Sequence, residues 1–191
     1  NLLYREINRC NAAIERAPAV VNIADAVKDS RVGEAKFLRS LSLFWAVQQW
    51  GDVPMPLKET KDASLTVVRV PSKDIYTQII TDLNDAIAKL PTTQTAAGRV
   101  TKNAAKFLLA QIYLNAKVYI GANKDADALT ALNAVIGSSY SIASVPYSNL
   151  FMADNDRTAV QSEIIFPIRF NGVNTKTWGG TTFIIHAATG G

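Results

Sequence analysis

The chain has 191 residues, 48% hydrophobic and 19% charged, with 20 Lys+Arg against 16 Asp+Glu for a formal net charge of +4. That balance is ordinary for a globular chain and excludes a disordered tail, a collagen-like repeat and a disulfide-stapled miniprotein. No dense basic run is present, so a nucleic-acid function lacks its electrostatic footprint.

In chain order, Leu3, Ile7, Cys10, Ile14 and Ala17 fall on one face of a helix over residues 2–17, closed by Pro18. Cys10 lies on that apolar face and reads as a buried structural thiol. As the single cysteine it cannot form an intrachain disulfide. Residues 34–50 are apolar on most faces, which predicts a helix buried in a larger helical assembly and ended by Gly51. Pro54, Pro56 and Pro71 make residues 52–71 a long irregular connection. Ser72 is the expected N-cap of a helix over 72–90, with Ile75, Tyr76, Ile79, Ile80, Leu83, Ala86, Ile87 and Leu90 in one stripe and Pro91 as its stop. On this reading Asp82 and Asp85 lie off the stripe and face water.

Thr101 caps a predicted helix to about residue 119, and Asp125 a shorter one that carries Ala128, Leu129, Leu132, Val135 and Ile136 inward and exits at Gly137. Tyr140 to Phe151 is loop-like. Ile164, Phe166, Ile168 and Phe170 alternate as in an edge strand or extended segment, Pro167 arguing against a central strand. Residues 171–191 are Gly- and Thr-rich, with a short β-prone run at Thr181 to Ile185. No helical stretch of the roughly 20 apolar residues needed to cross a bilayer is present.

Ala35-Lys36-Phe37-Leu38 recurs as Ala105-Lys106-Phe107-Leu108, with Ala46 and Ala116 in the same register. Each copy precedes an amphipathic helix, so the repeating unit is a helix pair, as in an α-solenoid of tetratricopeptide type. Small residues at the seams let neighbouring helices approach and large ones fill the gaps beside them. The expected fold is therefore mainly α: a tetratricopeptide-like helix-pair scaffold over residues 1–137, followed over 138–191 by the start of an irregular ligand-side region that reads as truncated.

Four ordered segments carry a family resemblance. Gly33-Glu34-Ala35-Lys36-Phe37-Leu38-Arg39, followed by Trp50-Gly51-Asp52-Val53-Pro54, resembles the signature of SusD/RagB-like outer-membrane glycan-binding lipoproteins. Arg9-Cys10-Asn11 with Ile14 resembles the early helix of that family, and Ile75-Tyr76 through Leu90-Pro91 the second. Gly98-Arg99-Val100-Thr101-Lys102 resembles the third, and Leu150-Phe151 with Glu163 to Phe166 also fits. The resemblance marks Glu34, Arg39, Gly51, Asp52, Pro54, Arg99 and Thr101 as structural motif residues. It implies a surface lipoprotein of the outer membrane in Bacteroidota-type bacteria, partnered with a TonB-dependent, SusC-like β-barrel transporter. Such a protein captures oligosaccharide, or in some members peptide, and is not an enzyme. The lipidated cysteine and its signal are absent from this chain, as is the long C-terminal portion, so the chain reads as an internal piece.

The residues themselves supply little catalytic chemistry. No metalloprotease His pair, nucleophile elbow or phosphate-binding loop is present, and no cofactor is implied. The single histidine, His186, has no partner for a triad or metal site. Asp125-Ala126-Asp127 and Asp154-Asn155-Asp156 lack the Gly and distal Glu of a calcium loop. Glu34 and Arg39 are expected to hold neighbouring helices or the 52–71 loop by hydrogen bonds, and Arg99 to tie a loop to helix carbonyls. Sugar binding needs an aromatic face with polar partners at its rim. Trp45 reads as core, and Trp50 as a packing anchor, with a ligand platform as its alternative. Trp178, in the polar, Gly-flanked segment 174–180, is the candidate ligand platform, with packing against other residues as its alternative. The rival function is a cytoplasmic tetratricopeptide adaptor that binds peptide tails.

Overall fold

The computed structural model describes residues 2–62, 67–94, 96, 98–152, 155, 158–169 and 173. Its helices are α1 (Leu2–Arg16), α2 (Asp25–Trp50), α3 (Ser72–Lys89), α4 (Lys102–Leu114), α5 (Ala116–Ile120), α6 (Asp125–Ile136) and a short α7 (Thr158–Gln161). The chain is mostly helical and tetratricopeptide-like, as the helix-pair repeat predicts. α2 packs on α3 and on α1, α4 packs on α6, and α3 against α4 joins the two pairs. One core runs through α1 to α5, from Ile7 through Phe37, Leu43, Ile75 and Leu83 to Leu108, Ile112 and Ala116.

The small residues do set the seams: Ala46, Ala86, Ala105 and Ala116 are fully buried. The rest of the repeated tetrapeptide does not keep its environment. Phe37 is buried and Leu38 exposed in the first copy, whereas Phe107 is exposed and Leu108 buried in the second. Phe37 meets the ring of Phe166 edge-on, with centroids 5.2 Å apart.

Several expectations are corrected. α2 begins at Asp25, nine residues before the predicted start, and runs through Gly33. Gly33 is buried there, and a Cβ would lie 3.1 Å from Leu90 Cγ, so the glycine permits the end of α3 to approach closely. Pro71, not Ser72, occupies the N-cap of α3, and Lys124, not Asp125, that of α6. Thr101 does cap α4, its side chain accepting the Ala104 N–H, but that helix breaks at Asn115 instead of running to 119. Leu129 and Ile136 point outward, because α6 buries only the Ala128–Val135 stripe. Trp45 is exposed, not core. Among the described residues the 163–169 segment forms no strand, which removes the edge-strand alternative alone; the extended pairing seen is the single antiparallel bridge between Val53 and Val70. Phe170, His186 and the 181–185 run lie outside the described residues.

Candidate functional site

The motif residues converge on a buried ionic knot. Ala35, Arg39, Ser42 and Ala46 share a face of α2, and Ile75, Ile79, Asp82 and Ala86 share a face of α3, at helical spacing. Packing these faces together places a cation opposite an anion. Arg39 donates from Nε and Nη2 to the two carboxylate oxygens of Asp82, each at 2.8 Å. Their side chains are only 5% and 1% exposed, so this fork-to-fork pair is desolvated. Arg39 Nη1 also donates to Asn11 Oδ1 at 2.8 Å and reaches the Leu57 carbonyl. Asn11 in turn donates to the carbonyls of Pro56 and Lys58, both at 2.9 Å. Lys36 bridges Asp82 and Asp85, at 3.8 and 2.8 Å. One network thus ties α1, α2, α3 and the connection at 56–58. The expectation that Asp82 faces water is overturned, because its place in the stripe puts it inside.

Cys10 sits beside this knot. Burial pushes its thiol up to about 11, only partly offset by Arg39, so it stays protonated and unreactive at neutral pH.

A second cluster joins the start of α4 to α2. Glu34 accepts from Arg31 Nη1 at 3.1 Å and from Arg99 Nη2. Arg99 therefore binds a helix carboxylate, not helix carbonyls as expected. Burial raises the Glu34 carboxyl above its usual range, and Arg31 opposes that rise.

A third group forms the corner after α2. Gly51 turns the chain at φ 68° and ψ −122°, a region that side-chain-bearing residues avoid. Asp52 Oδ1 then accepts the Ser72 N–H at 2.8 Å, while the Asp52 carbonyl accepts from Arg69 Nε at 3.0 Å. The hydrogen bonds from Ser72 hold the Asp52 carboxyl below its usual range, with a smaller contribution from Arg69. Val70 N–H closes on Val53 O at 3.0 Å, and Tyr4 Oη donates to Pro54 O at 2.9 Å. Beside this corner lies a concavity of about 510 Å³ lined by Leu2, Leu3, Tyr4, Trp50, Asp52, Val53, Pro54 and Arg69. Trp50 is 59% exposed at its edge, which overturns its reading as a packing anchor.

Of the motif residues, then, Arg39 anchors the first knot, Glu34 and Arg99 pair in the second, and Gly51, Asp52 and Pro54 build the corner. Sequence reasoning missed Asn11 and Asp82, although both sit at stripe positions, Asn11 four residues after Ile7 and Asp82 three after Ile79. Trp178 lies outside the described residues, as do Asp154 and Asp156. Among the described residues, no group of His, Cys, Asp and Glu side chains could hold a metal ion.

Comparison with known proteins fits this scaffold. The SusD-like family profile, described as "Starch-binding associating with outer membrane", matches residues 1–114. The chain is 37% identical over 165 residues to the starch-binding protein SusD of Bacteroides thetaiotaomicron, covering 85% of this chain and 29% of that protein. Its backbone is similar to a SusD superfamily protein of Bacteroides fragilis, with a TM-score of 0.75 at 27% identity over 92% of this chain and 37% of the other. It is also similar to a laminarin-binding SusD-like protein, with a TM-score of 0.71 at 26% identity over 82% and 34% of the two chains. The chain spans 21–35% of the length of the curated relatives it matches. With the profile matched across more than half of its residues, the chain belongs to the SusD-like family.

Proposed function

We propose that this protein takes part in the non-catalytic capture of glycan at the cell surface and its delivery to a TonB-dependent, SusC-like β-barrel in the outer membrane. The observation that carries this reading is the family match over residues 1–114 on a helix-pair scaffold locked by desolvated ion pairs. Relatives bearing the names starch-binding and laminarin-binding supply the ligand class. In this reading residues 1–137 are the scaffold that leans on the barrel, and residues 138–191 begin the ligand side, with Trp178 as a candidate platform.

The two buried acids among the described residues, Asp82 and Glu34, are both held by arginines, so neither is offered as a general acid or base. No helix among the described residues is long and apolar enough to cross a membrane. Attachment through a lipid is part of the proposal on the ground of the family resemblance.

Affinity electrophoresis and calorimetry against starch, laminarin, xyloglucan and a peptide panel test the reading, together with purification from membranes. Retention by at least one glycan and a co-purifying barrel are expected. No retention by any glycan and no barrel would sink it, and retention by peptides alone would replace the ligand class.

A further inference from the structure

We infer that the concavity at the corner after α2 is a further saccharide subsite on the scaffold half, apart from the ligand side at 138–191, with Trp50 as its platform and Asp52 and Arg69 as its polar rim. The ligand class rests on the proposed function; the site rests on geometry.

The walls are fixed before any ligand arrives. Tyr4 ties the Pro54 carbonyl to α1, the Val53–Val70 bridge closes the neighbouring strip, and the Ser72 N–H holds Asp52. Preorganised walls reduce the ordering cost of binding. Yet the indole they surround is left 59% exposed, although nothing in the corner's own hydrogen bonding requires a Trp there. The volume of about 510 Å³ is within the usual range for a small-molecule site and accommodates one or two sugar rings.

The rim selects the class of occupant. Arg69 commits only Nε, to the Asp52 carbonyl, and its two Nη groups have no partner among the described residues. The Asp52 carboxylate takes the Ser72 N–H on Oδ1 and a further hydrogen bond from the Ser72 side chain, which still leaves acceptor capacity for a ligand donor. The depressed titration of Asp52 keeps it an acceptor at neutral pH. A fixed anion and a fixed cation side by side disfavour a ligand of either net charge. They suit a neutral molecule that donates and accepts at adjacent positions, as vicinal hydroxyls do. Leu3, Val53 and Pro54 form an apolar floor, and a pyranose offers C–H groups to the floor and the indole while its hydroxyls meet the rim.

The chain's three tryptophans allow a residue-specific test. The indole N–H signals of ¹⁵N-labelled protein are followed by NMR while maltoheptaose or laminarihexaose is added, with the Trp50 signal assigned through Trp50→Phe. The subsite predicts a saturable shift of the Trp50 signal with at least one of the two sugars. Arg69→Ala should weaken that saturation about tenfold, with an unchanged circular dichroism spectrum. A stationary Trp50 signal in a protein that glycan retains in electrophoresis overturns the subsite and leaves the proposed function standing. A stationary signal together with no retention overturns both. A Trp50 shift that follows protein concentration without sugar makes this face a contact between copies and overturns the subsite.

Discussion

Replacing Asp82 by Asn removes one charge from the buried knot while changing its volume little. Arg39 would then stand 5% exposed with its carboxylate gone, held by Asn11 Oδ1, the distant Leu57 carbonyl and one neutral amide oxygen in place of the carboxylate. Breaking a buried pair by removing one partner costs about 3–5 kcal/mol, because the surviving charge is left desolvated. The Asn oxygen still accepts one hydrogen bond, which places the expected loss near the lower figure, about 3 kcal/mol. For a chain of this size that lowers the melting temperature by roughly 6–12 °C. The matched control is Asp85→Asn. Asp85 meets Lys36 at 2.8 Å but is 34% exposed, so its loss should cost less than about 1 kcal/mol. Urea unfolding followed by circular dichroism gives both values, provided the slope is unchanged between variants. Arg39→Met combined with Asp82→Leu should be less destabilised than the two single losses added together, since no unpaired charge remains. If Asp82→Asn costs no more than Asp85→Asn, or if the double variant is simply additive, the knot does not hold the fold and the reasoning fails.

Three further outcomes follow from the same geometry. Gly51→Ala should cost about 1–3 kcal/mol through backbone strain alone, since no atom lies within 4 Å of an added Cβ; an unchanged unfolding midpoint would refute it. Gly33→Ala should cost less, because crowding against Leu90 Cγ at 3.1 Å and Lys89 Cβ at 3.2 Å is set against the roughly 0.5–1 kcal/mol that alanine gains over glycine inside a helix, and Leu90→Ala should relieve part of the crowding. Asp52 has a depressed carboxyl, so its contribution to stability is full above the unfolded value of about 4 and fades as pH falls through the folded value. Asp52→Asn should therefore lower the melting temperature at pH 6, with the gap to the parent protein narrowing steadily in acid. A gap that widens in acid would reverse the assigned sign.

How much could be read from residues alone depended on where the deciding contact lay. α3 was legible because Ile75, Ile79, Leu83 and Ala86 keep a single face over its whole length. The same spacing admits Asp82, but polarity alone sends an aspartate outward; its inward place needs Arg39, which lies 43 residues earlier in the chain. The apolar pattern starts α2 at residue 34, and the reason for a glycine inside that helix, its contact with Leu90, lies in a distant segment. The 163–169 alternation is a true local pattern, but a strand needs a partner edge, and among the described residues none pairs there. Trp50 ends a helix and precedes a glycine, which looks like an anchored ring, yet its indole is exposed, and exposure depends on contacts that adjacent residues do not reveal. Aligned polarity along one element can be read locally, whereas pairings between elements cannot.

The grip of Asn11 on the connection has one more consequence. It holds residues 56 and 58 through their backbone carbonyls, and Arg39 touches Leu57 in the same way. Such contacts are blind to the identity of the residues being held. Leu57 and Lys58 point outward and could be exchanged for many others while the path of the main chain stayed the same. The connection is thus a shelf of constant shape, on which evolution or an engineer can rewrite the outward face without disturbing the frame beneath.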